Sequence, residues 1–483
     1  MPPDLEEDAV LDAIRRRDLL KHTACGFGYL ALAGLAAERA AAEAPPDPLW
    51  PRSPHFPAKA KRVIFLFMQG GVSQVDSFDY KPRLFRDDGK DMPFDDARVI
   101  ANTGARGSEQ RVMRPLWEFS RHGECGHWGS SLFPELNRHM DELCFIHSLH
   151  TEGVAHGPAT LFLHCGATSA VRPSLGAWIQ YGLGTENRDL PGFVTIGPSA
   201  GNGGARNYGN AFLPAVYQGT PLGKAGAPAS EATIRNLSNP RLSEADQRRQ
   251  LDLLLALNAE QSGPSSDPEL DAVISSFELA WRMQMNAPDA LDLSGESAET
   301  LALYGIGEEP TDNFGRQCLL ARRLSERGVR FIQVTYGDST ANPAWDQHSN
   351  MPKHADHARR VDRPIAGLLA DLRRRGLLED TLIWWGSEFG RTPYAQQKGT
   401  GRDHNPDGFT VWLAGAGVKP GFSFGATDEF GHKAEQDKVH MHDLHATILH
   451  LLGLDHERLT YRHSGRDFRL TDVHGRVVEG ILA

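Results

Sequence analysis

Residues 381–412, TLIWWGSEFGRTPYAQQKGTGRDHNPDGFTVW, contain the strand that decides the fold. The apolar run at 382–385 predicts a buried strand, and a second apolar run begins at Phe409. Between them stand Glu388, in an acidic turn, and His404, in a Gly-rich polar loop. Open α/β sheets carry their chemistry in loops at the carboxyl ends of strands, because neighbouring loops diverge there and leave a crevice. The stretch therefore predicts an α/β fold with a polar site at one edge of its sheet.

Strands and helices alternate on both sides of this stretch. Apolar runs predict strands at 63–68, 143–146, 193–196, 329–336, 382–385 and 409–413. Helical periodicity and caps predict helices at 133–140, 158–164, 174–181, 312–324, 358–375 and 443–452. This alternation is typical of a mainly parallel sheet with helices on both faces. Residues 201–228 are irregular and are followed by predicted helices at 243–257 and 267–285, which indicates a mostly helical insertion at about 201–305.

Bulk composition excludes several classes of protein. The chain has 483 residues, of which 40% are hydrophobic, so it is long enough for one large globular domain or two ordinary ones. Its net charge of -11 argues against nucleic acid as a main partner, since a phosphate backbone requires a basic face. Five cysteines without a Cys-x-x-Cys pair argue against a zinc ribbon or a thioredoxin-type redox site.

The first 44 residues resemble an export signal more than a folded segment. Arg16 and Arg17 begin a twin-arginine-like signal, and the apolar run at 24–37 is too short to span a bilayer. We therefore expect residues 1–44 to direct export by the twin-arginine route to the periplasm or the exterior, without a stable membrane span. An ordinary amphipathic first helix is the alternative. The proline-rich segment at 45–60 predicts a linker, and 61–483 the α/β domain.

The histidines indicate two regions that meet. Of the 21 histidines, none lies between Cys165 and Gln347, whereas seven fall at 122–164 and twelve at 348–474. Scattered surface histidines would not leave so long a gap. A shared site built from both regions would.

Acidic residues and histidines follow or precede three predicted strands. They are Asp346, His348, Glu388 and His404. Imidazole and carboxylate are the ligands that zinc and similar divalent ions take, so we predict a divalent metal here, zinc first, with calcium or manganese as alternatives. Asp76, after the first strand, is either a further ligand or a turn cap.

Two other residues are candidates for chemistry on an anion. His156 lies beside a predicted helix N-terminus, where the free N–H groups favour an anion. It is predicted to act as a general acid or base, with a phosphohistidine nucleophile as the alternative. Arg391 is predicted to hold a sulfate or phosphate group bidentately. The alternative for Arg391 is an ion pair with Glu388 or Asp403.

Four strings carry a family resemblance: GSEFGRTP at 386–393, GRDHNPDGFTVWLAGAGVKPG at 401–421, PSLGAWIQYGLGTEN at 173–187 and RLTYRHSGRDFRL at 458–470. They resemble the bacterial family known as domain of unknown function 1501, of the alkaline phosphatase and sulfatase superfamily. The resemblance implies an alkaline phosphatase-like three-layer sandwich with one or two divalent ions at the carboxyl ends of the sheet. It also implies hydrolysis of phosphate or sulfate esters through a covalent intermediate.

The chain departs from that superfamily pattern at several positions. Phe389 stands where the superfamily has His or Asn, and Gln69 where it has Asp. The turn resembling the nucleophile turn offers His156 instead of Ser or Thr, and no Cys-x-Pro-x-Arg sulfatase motif occurs. One metal subsite is therefore expected to be eroded, and covalent catalysis by a hydroxyl is not supported.

Two functions follow from these residues. The first is an exported metal-dependent hydrolase acting on a small anionic ester or on a sulfated or phosphorylated glycan. The second is a non-catalytic exported protein that binds a metal or ligand and keeps the fold without turnover.

Overall fold

The computed structural model describes residues 48–94, 109–234, 241–261, 268–340, 342–396 and 399–483. The expected export signal at 1–44 lies outside these residues. Residues 48–60, predicted as a linker, lie on the domain: the Arg52 amide donates to the Leu183 carbonyl, and the Lys59 amide donates to the Leu451 carbonyl. Among the described residues, no helix combines the length and apolar content needed to cross a bilayer.

A nine-stranded sheet forms the centre of the molecule. Its strands in chain order are β1 Arg62–Met68, β2 Leu143–His150, β3 Phe193–Ile196, β4 Thr220–Leu222, β5 Phe331–Tyr336, β6 Thr381–Gly386, β7 Phe409–Ala414, β8 Phe422–Phe424 and β9 Val439–His440. The spatial order is β8-β2-β7-β6-β1-β5-β3-β4, and β9 pairs with β2. β7 runs antiparallel to both of its neighbours, while the other pairings are parallel.

Helices cover both faces of this sheet. They are α1 Gln74–Ser77, α2 Pro82–Arg86, α3 His156–Cys165, α4 Leu175–Leu183, α5 Glu244–Gln261, α6 Pro268–Leu291, α7 Ala298–Leu303, α8 Asp312–Glu326, α9 Lys353–Arg374 and α10 Met441–Leu451. Alternate residues of β1 face opposite layers: Phe65 packs with α3, α4 and α10, and Leu66 packs with α8 and α9. The predicted α/β class, with a mainly parallel sheet between two helical layers, is confirmed.

Several predicted elements differ in extent from the structure. The predicted helix at 133–140 is a 3-10 helix, Leu136–Glu142, and β2 continues through His150. Residues 201–228, predicted to be irregular, include β4 at the sheet edge. α9 begins at Lys353, five residues before its predicted start. α5 and α6 occupy the predicted helical insertion.

Candidate metal centre

A two-stranded hairpin carries His404 to the carboxyl edge of the sheet. Its strands, Gly390–Ala395 and Arg402–Asn405, pair antiparallel, and His404 stands opposite Arg391. This site hairpin corrects the prediction of a polar loop between β6 and β7. Both of its strands are fully buried, so its polar side chains face other protein groups instead of water. The hairpin therefore holds His404 on a rigid element.

Four side chains converge beside this hairpin: His156, Asp346, His348 and His404. One ligand atom from each lies within 4.8 Å of all the others. The Oδ1 atom of Asp346 is 3.2 Å from His156 Nε2, 2.9 Å from His348 Nε2 and 3.3 Å from His404 Nε2. The Nε2 atoms of His348 and His404 are 3.0 Å apart. His156 comes from the start of α3, the next two from the loop between β5 and α9, and His404 from the site hairpin.

The Nδ1 atom of each histidine ring, on the side away from Asp346, has its own hydrogen-bond partner. His404 Nδ1 donates to the Val154 carbonyl over 2.9 Å, because a carbonyl oxygen only accepts. His156 Nδ1 is 2.7 Å from Glu388 Oε1, and His348 Nδ1 is 2.5 Å from Gln396 Oε1. In a neutral ring this arrangement favours the proton on Nδ1, which leaves Nε2 free to coordinate an ion.

This donor set fits a small divalent cation. A tetrahedral zinc ion with bonds of about 2.0–2.1 Å separates its ligand atoms by about 3.3 Å, close to the four separations given above. His156 Nε2 is buried and has no hydrogen-bond partner of good geometry among the described residues. With Nε2 deprotonated in all three rings, these lone pairs and the carboxylate oxygen would repel one another, and a cation between them would relieve that repulsion. The residues therefore match a metal that prefers imidazole and carboxylate.

The electrostatic environment keeps Asp346 ionised. Burial alone would raise the pKa of Asp346, but the adjacent rings of His156, His348 and His404, together with the Arg391 guanidinium, hold it well below its ordinary value. Burial lowers the pKa of His404, so that this ring is neutral at pH 7. Burial would likewise lower the pKa of His156, but Asp346 and Glu388 together raise it. The carboxylates thus favour positive charge at this point in the molecule.

Glu388, predicted as a ligand, is not among the four convergent donors. Its carboxylate accepts the Gly70 amide at 3.0 Å with both oxygens, and Oε2 accepts the Ser387 hydroxyl at 2.9 Å. The remaining interaction is with His156 Nδ1. Glu388 is fully buried and orients the His156 ring, as carboxylates behind metal-binding histidines commonly do.

Arg391 is not available to hold an anion. Its guanidinium is fully buried and donates to the carbonyls of Gly71 at 2.9 Å, Arg402 at 3.1 Å and Trp345 at 3.2 Å, and to that of Gly70. Its Nη2 atom also donates to Asp346 Oδ1 at 2.8 Å. Every guanidinium nitrogen is engaged, so the predicted anion clamp is replaced by a group that fixes Asp346.

Asp76 is not brought into the cluster either. Its Oδ2 atom accepts from Arg402 Nε at 2.7 Å and from the Ser73 hydroxyl at 2.5 Å. Its Oδ1 atom accepts the Leu116 amide at 3.0 Å. The Asp76–Arg402 pair is completely buried, which makes it a structural link between α1 and the site hairpin.

The turn after β1 packs closely against the loop that carries Asp346. Gly70 has φ +119°, and a Cβ atom there would lie 2.8 Å from the Asp346 amide nitrogen, so a side chain would displace the loop that carries Asp346.

Phe389, expected not to ligate, stacks on the His404 ring with centroids 4.2 Å apart. Its ring also lies 5.0 Å from that of His156, so it covers the apolar side of the cluster.

The other side of the cluster opens to solvent. A cavity of about 490 Å³ is lined by Asp346, His348 and the first two turns of α9. This cavity gives a ligand access to Asp346 and His348, which are two of the four donors. A sequence could have signalled His156 as a member of this set, because it follows β2 at the same edge as the other three. Nothing in the local sequence indicates that the Gln396 side chain and the Val154 carbonyl are the hydrogen-bond partners of His348 and His404.

The fold and the donor set define an α/β protein with a candidate divalent-metal centre at the carboxyl edge of its sheet. The chain belongs to the family described as protein of unknown function (DUF1501), whose model matches residues 60–482. No curated protein is similar enough in sequence to count as a match.

Solved structures similar to this chain include three from bacteria. The lipoteichoic acid synthase LtaP from Listeria monocytogenes is 9% identical, with a TM-score of 0.34, covering 87% of this chain and 78% of that one. The PsFucS1 sulfatase from Pseudoalteromonas sp. is 13% identical, with a TM-score of 0.35 and coverages of 82% and 68%. A protein in the alkaline phosphatase superfamily from Vibrio parahaemolyticus is 10% identical, with a TM-score of 0.35 and coverages of 85% and 71%.

Proposed function

We propose that this protein is a metal-dependent hydrolase of phosphate or sulfate esters. One observation carries the proposal: the side chains of three histidines and Asp346 converge, and two of these four residues, Asp346 and His348, line a solvent-open cavity. His156, His348 and His404 would hold the ion together with Asp346. When bound, a divalent ion supplies Lewis-acid polarisation of an anionic ester oxygen and makes a nearby water more acidic.

The chain's own residues prepare the site for that chemistry. Glu388 and the Val154 carbonyl hold the Nδ1 protons of His156 and His404, so that the Nε2 atoms face the ion. Arg391 fixes the Asp346 carboxylate in place. Phe389 excludes water from one side, which directs substrate to the cavity side. In this arrangement His156 serves as a ligand in place of the general acid or base expected from its position.

A specific observation favours the second candidate function, a non-catalytic metal-binding protein. Four protein donors complete a tetrahedral shell, and catalytic zinc sites usually keep one position open for water or substrate. The start of α3 also presents His156 in place of a hydroxyl nucleophile. The hydrolase requires a fifth coordination position on the cavity side, whereas a closed site does not.

Turnover on chromogenic esters separates the two functions. Purified protein containing one equivalent of zinc, manganese or calcium is assayed for release of nitrophenol from 4-nitrophenyl phosphate and 4-nitrophenyl sulfate. The hydrolase proposal expects metal-dependent release that disappears in His404→Ala. Stoichiometric metal without turnover on either ester or on a broader ester panel supports the binding protein instead.

We also propose export by the twin-arginine route, which the Arg16-Arg17 motif supports. Export should stop when both arginines are replaced by lysine, because the twin-arginine signal is defined by that pair. Fractionation of cells that express the wild type and the Arg16→Lys/Arg17→Lys variant measures the effect. Equal amounts of both proteins outside the cytoplasm would refute this route.

A further inference from the structure

The cavity that opens from the metal centre follows one face of α9. Lys353, His357 and Arg360 all line it, and their spacing of four and three residues places them on the same side of the helix. Lys353 and Arg360 are about 10 Å apart along the axis. We call this surface the α9 groove. Because Asp346 and His348 line the same cavity, a ligand in the groove can reach the metal centre.

The two cations of the groove, Lys353 and Arg360, are exposed. No carboxylate among the described residues lies within 4.0 Å of Lys353 or Arg360, although three aspartates line the same cavity, one of which, Asp346, belongs to the metal centre. Asp356 pairs with Arg359, and Asp338 accepts the Thr340 amide over 2.9 Å. The acidic groups therefore have other partners, and the positive charges remain available to a ligand.

Arg360 and His357 also border a second cavity of about 230 Å³, which continues past Tyr336. His357 Nδ1 is 2.9 Å from the Tyr336 hydroxyl. Burial, with a contribution from Arg360, lowers the pKa of His357 to about 4, so this ring offers hydrogen bonds without charge. The two cavities together leave room for a ligand larger than a single ester group.

The remaining groove lining suits sugars. Asn342 and Asn350 contribute amides, and Ser349 contributes a hydroxyl. Such groups can hydrogen-bond sugar hydroxyls in both directions. The cations Lys353 and Arg360 complement a sugar ligand that also carries anionic groups.

We propose that the α9 groove binds a second anionic group of the substrate, which makes the substrate an oligosaccharide with sulfate or phosphate on more than one unit. One anionic group lies at the metal centre, and the next contacts Lys353 or Arg360. This inference rests on the proposed function, because it names the substrate class of the same site.

Equilibrium binding tests the groove separately from turnover. Fluorescein-labelled dextran oligosaccharides of one length, either sulfated, phosphorylated or neutral, are titrated with zinc-loaded protein and followed by fluorescence anisotropy. The test variant is Lys353→Gln/Arg360→Gln. The matched control is Lys438→Gln/Arg458→Gln, which removes two exposed cations that do not line the groove.

The groove variant should raise the Kd for the charged oligosaccharide about tenfold, whereas the control should leave it unchanged. The sulfated and phosphorylated probes show which anion is preferred, and the neutral probe should bind far more weakly than either. Equal Kd values for the two double variants, or a wild type that binds no charged probe, would overturn the inference. A groove-dependent Kd in a protein that hydrolyses no ester would refute the hydrolase while supporting the groove.

Discussion

The three imidazoles of the candidate metal centre are each held by a different acceptor. His156 has the Glu388 carboxylate, His404 the Val154 carbonyl and His348 the Gln396 side-chain oxygen. Since each acceptor fixes the proton on Nδ1, the rings are set to present Nε2 before any ion arrives. Preorganisation of this kind means that the loss of one ring removes a ligand without freeing another to replace it.

Replacement of His404 by alanine should therefore abolish stoichiometric metal binding. Inductively coupled plasma mass spectrometry of protein purified without chelator measures zinc, manganese and calcium per chain. We expect about one ion in the wild type and less than about a tenth of an ion in His404→Ala. His463→Ala, an exposed histidine on a distant hairpin, is the control and should keep its metal. Full metal content in His404→Ala would show that the ligand assignment is wrong.

Arg391 contributes mainly to stability. Its buried guanidinium pairs with Asp346 and donates to four backbone carbonyls. Arg391→Gln leaves those groups without a donor, and we expect the free energy of unfolding to fall by about 3–5 kcal/mol. Urea denaturation of the metal-free protein measures the loss, and Arg458→Gln on the surface should change it by less than about 0.5 kcal/mol. An equally small change for Arg391→Gln would contradict the structural role.

At the scale of elements, the strands of the central sheet were predictable and the site hairpin was not. β1 and β6 contain continuous apolar runs, as expected for strands buried on both faces, and β5 is mostly apolar, with Gln333 and Thr335 buried among its apolar residues. The hairpin strands are polar, yet they are buried because they pair with each other and with neighbouring loops. Local patterning does not reveal burial that depends on tertiary contacts, so this segment was predicted as a loop.

The hairpin also supports the loop that carries His348. A Cβ atom on Gly401 would lie 2.1 Å from the His348 carbonyl carbon, closer than any real contact allows. Gly401→Ala should therefore displace His348 and weaken zinc affinity by about 10- to 100-fold. Competition with a fluorescent zinc chelator measures the affinity.

Gly399→Ala provides the matched control two residues away. Its Cβ atom would meet nothing closer than the Gln396 carbonyl at 3.2 Å, so zinc affinity should be nearly unchanged. If both alanine variants bind zinc as the wild type does, the close packing of the hairpin on His348 does not determine the site.

α9 makes a second contact that gives the protein a pH-dependent stability. Asp362 on this helix is buried and accepts the amides of Glu135 and Leu136 at 2.7 and 2.8 Å. Burial raises the pKa of Asp362 from 3.8 to about 7, although these two amides lower it. The folded state therefore binds a proton that the unfolded chain releases. Its stabilising effect is complete below pH 3.8 and is lost as the pH rises through about 7.

Urea denaturation at pH 5 and pH 8 tests this linkage. Between these values the wild type should lose about 2–4 kcal/mol more stability than Asp362→Asn, because asparagine does not titrate. Parallel pH profiles for the two proteins would show that Asp362 is ionised in the folded state and that its pKa is not raised.

At the scale of the whole molecule, the sheet explains why residues far apart in the chain meet. The strands β1, β2, β5 and β6 all have their carboxyl ends at one edge of the sheet. For this reason Asp346, His348 and His404 could be placed near one another from the sequence. The sequence did not show which acidic side chains point into the cluster of histidines. Asp76 and Glu388 follow strands as Asp346 does, but their oxygens are taken by Arg402 and by Gly70.

The same limit applies to Arg391. A sequence shows an arginine beside a predicted metal site, where an anion clamp is a reasonable hypothesis. Only the three-dimensional arrangement shows that backbone carbonyls from the β1 turn and from the Trp345 region consume its donors. The family and the α/β class could be predicted because they depend on patterns along the chain, whereas side-chain roles depend on contacts across it.

The central claim is a single divalent ion held by three histidines and one aspartate. Anomalous diffraction at the zinc edge, from crystals of protein containing one equivalent of zinc, locates the ion directly. We predict one strong peak at about 2.0–2.1 Å from Nε2 of His156, His348 and His404 and at a similar distance from an Asp346 oxygen. No peak at this position, or a peak bonded to other residues, would contradict the account.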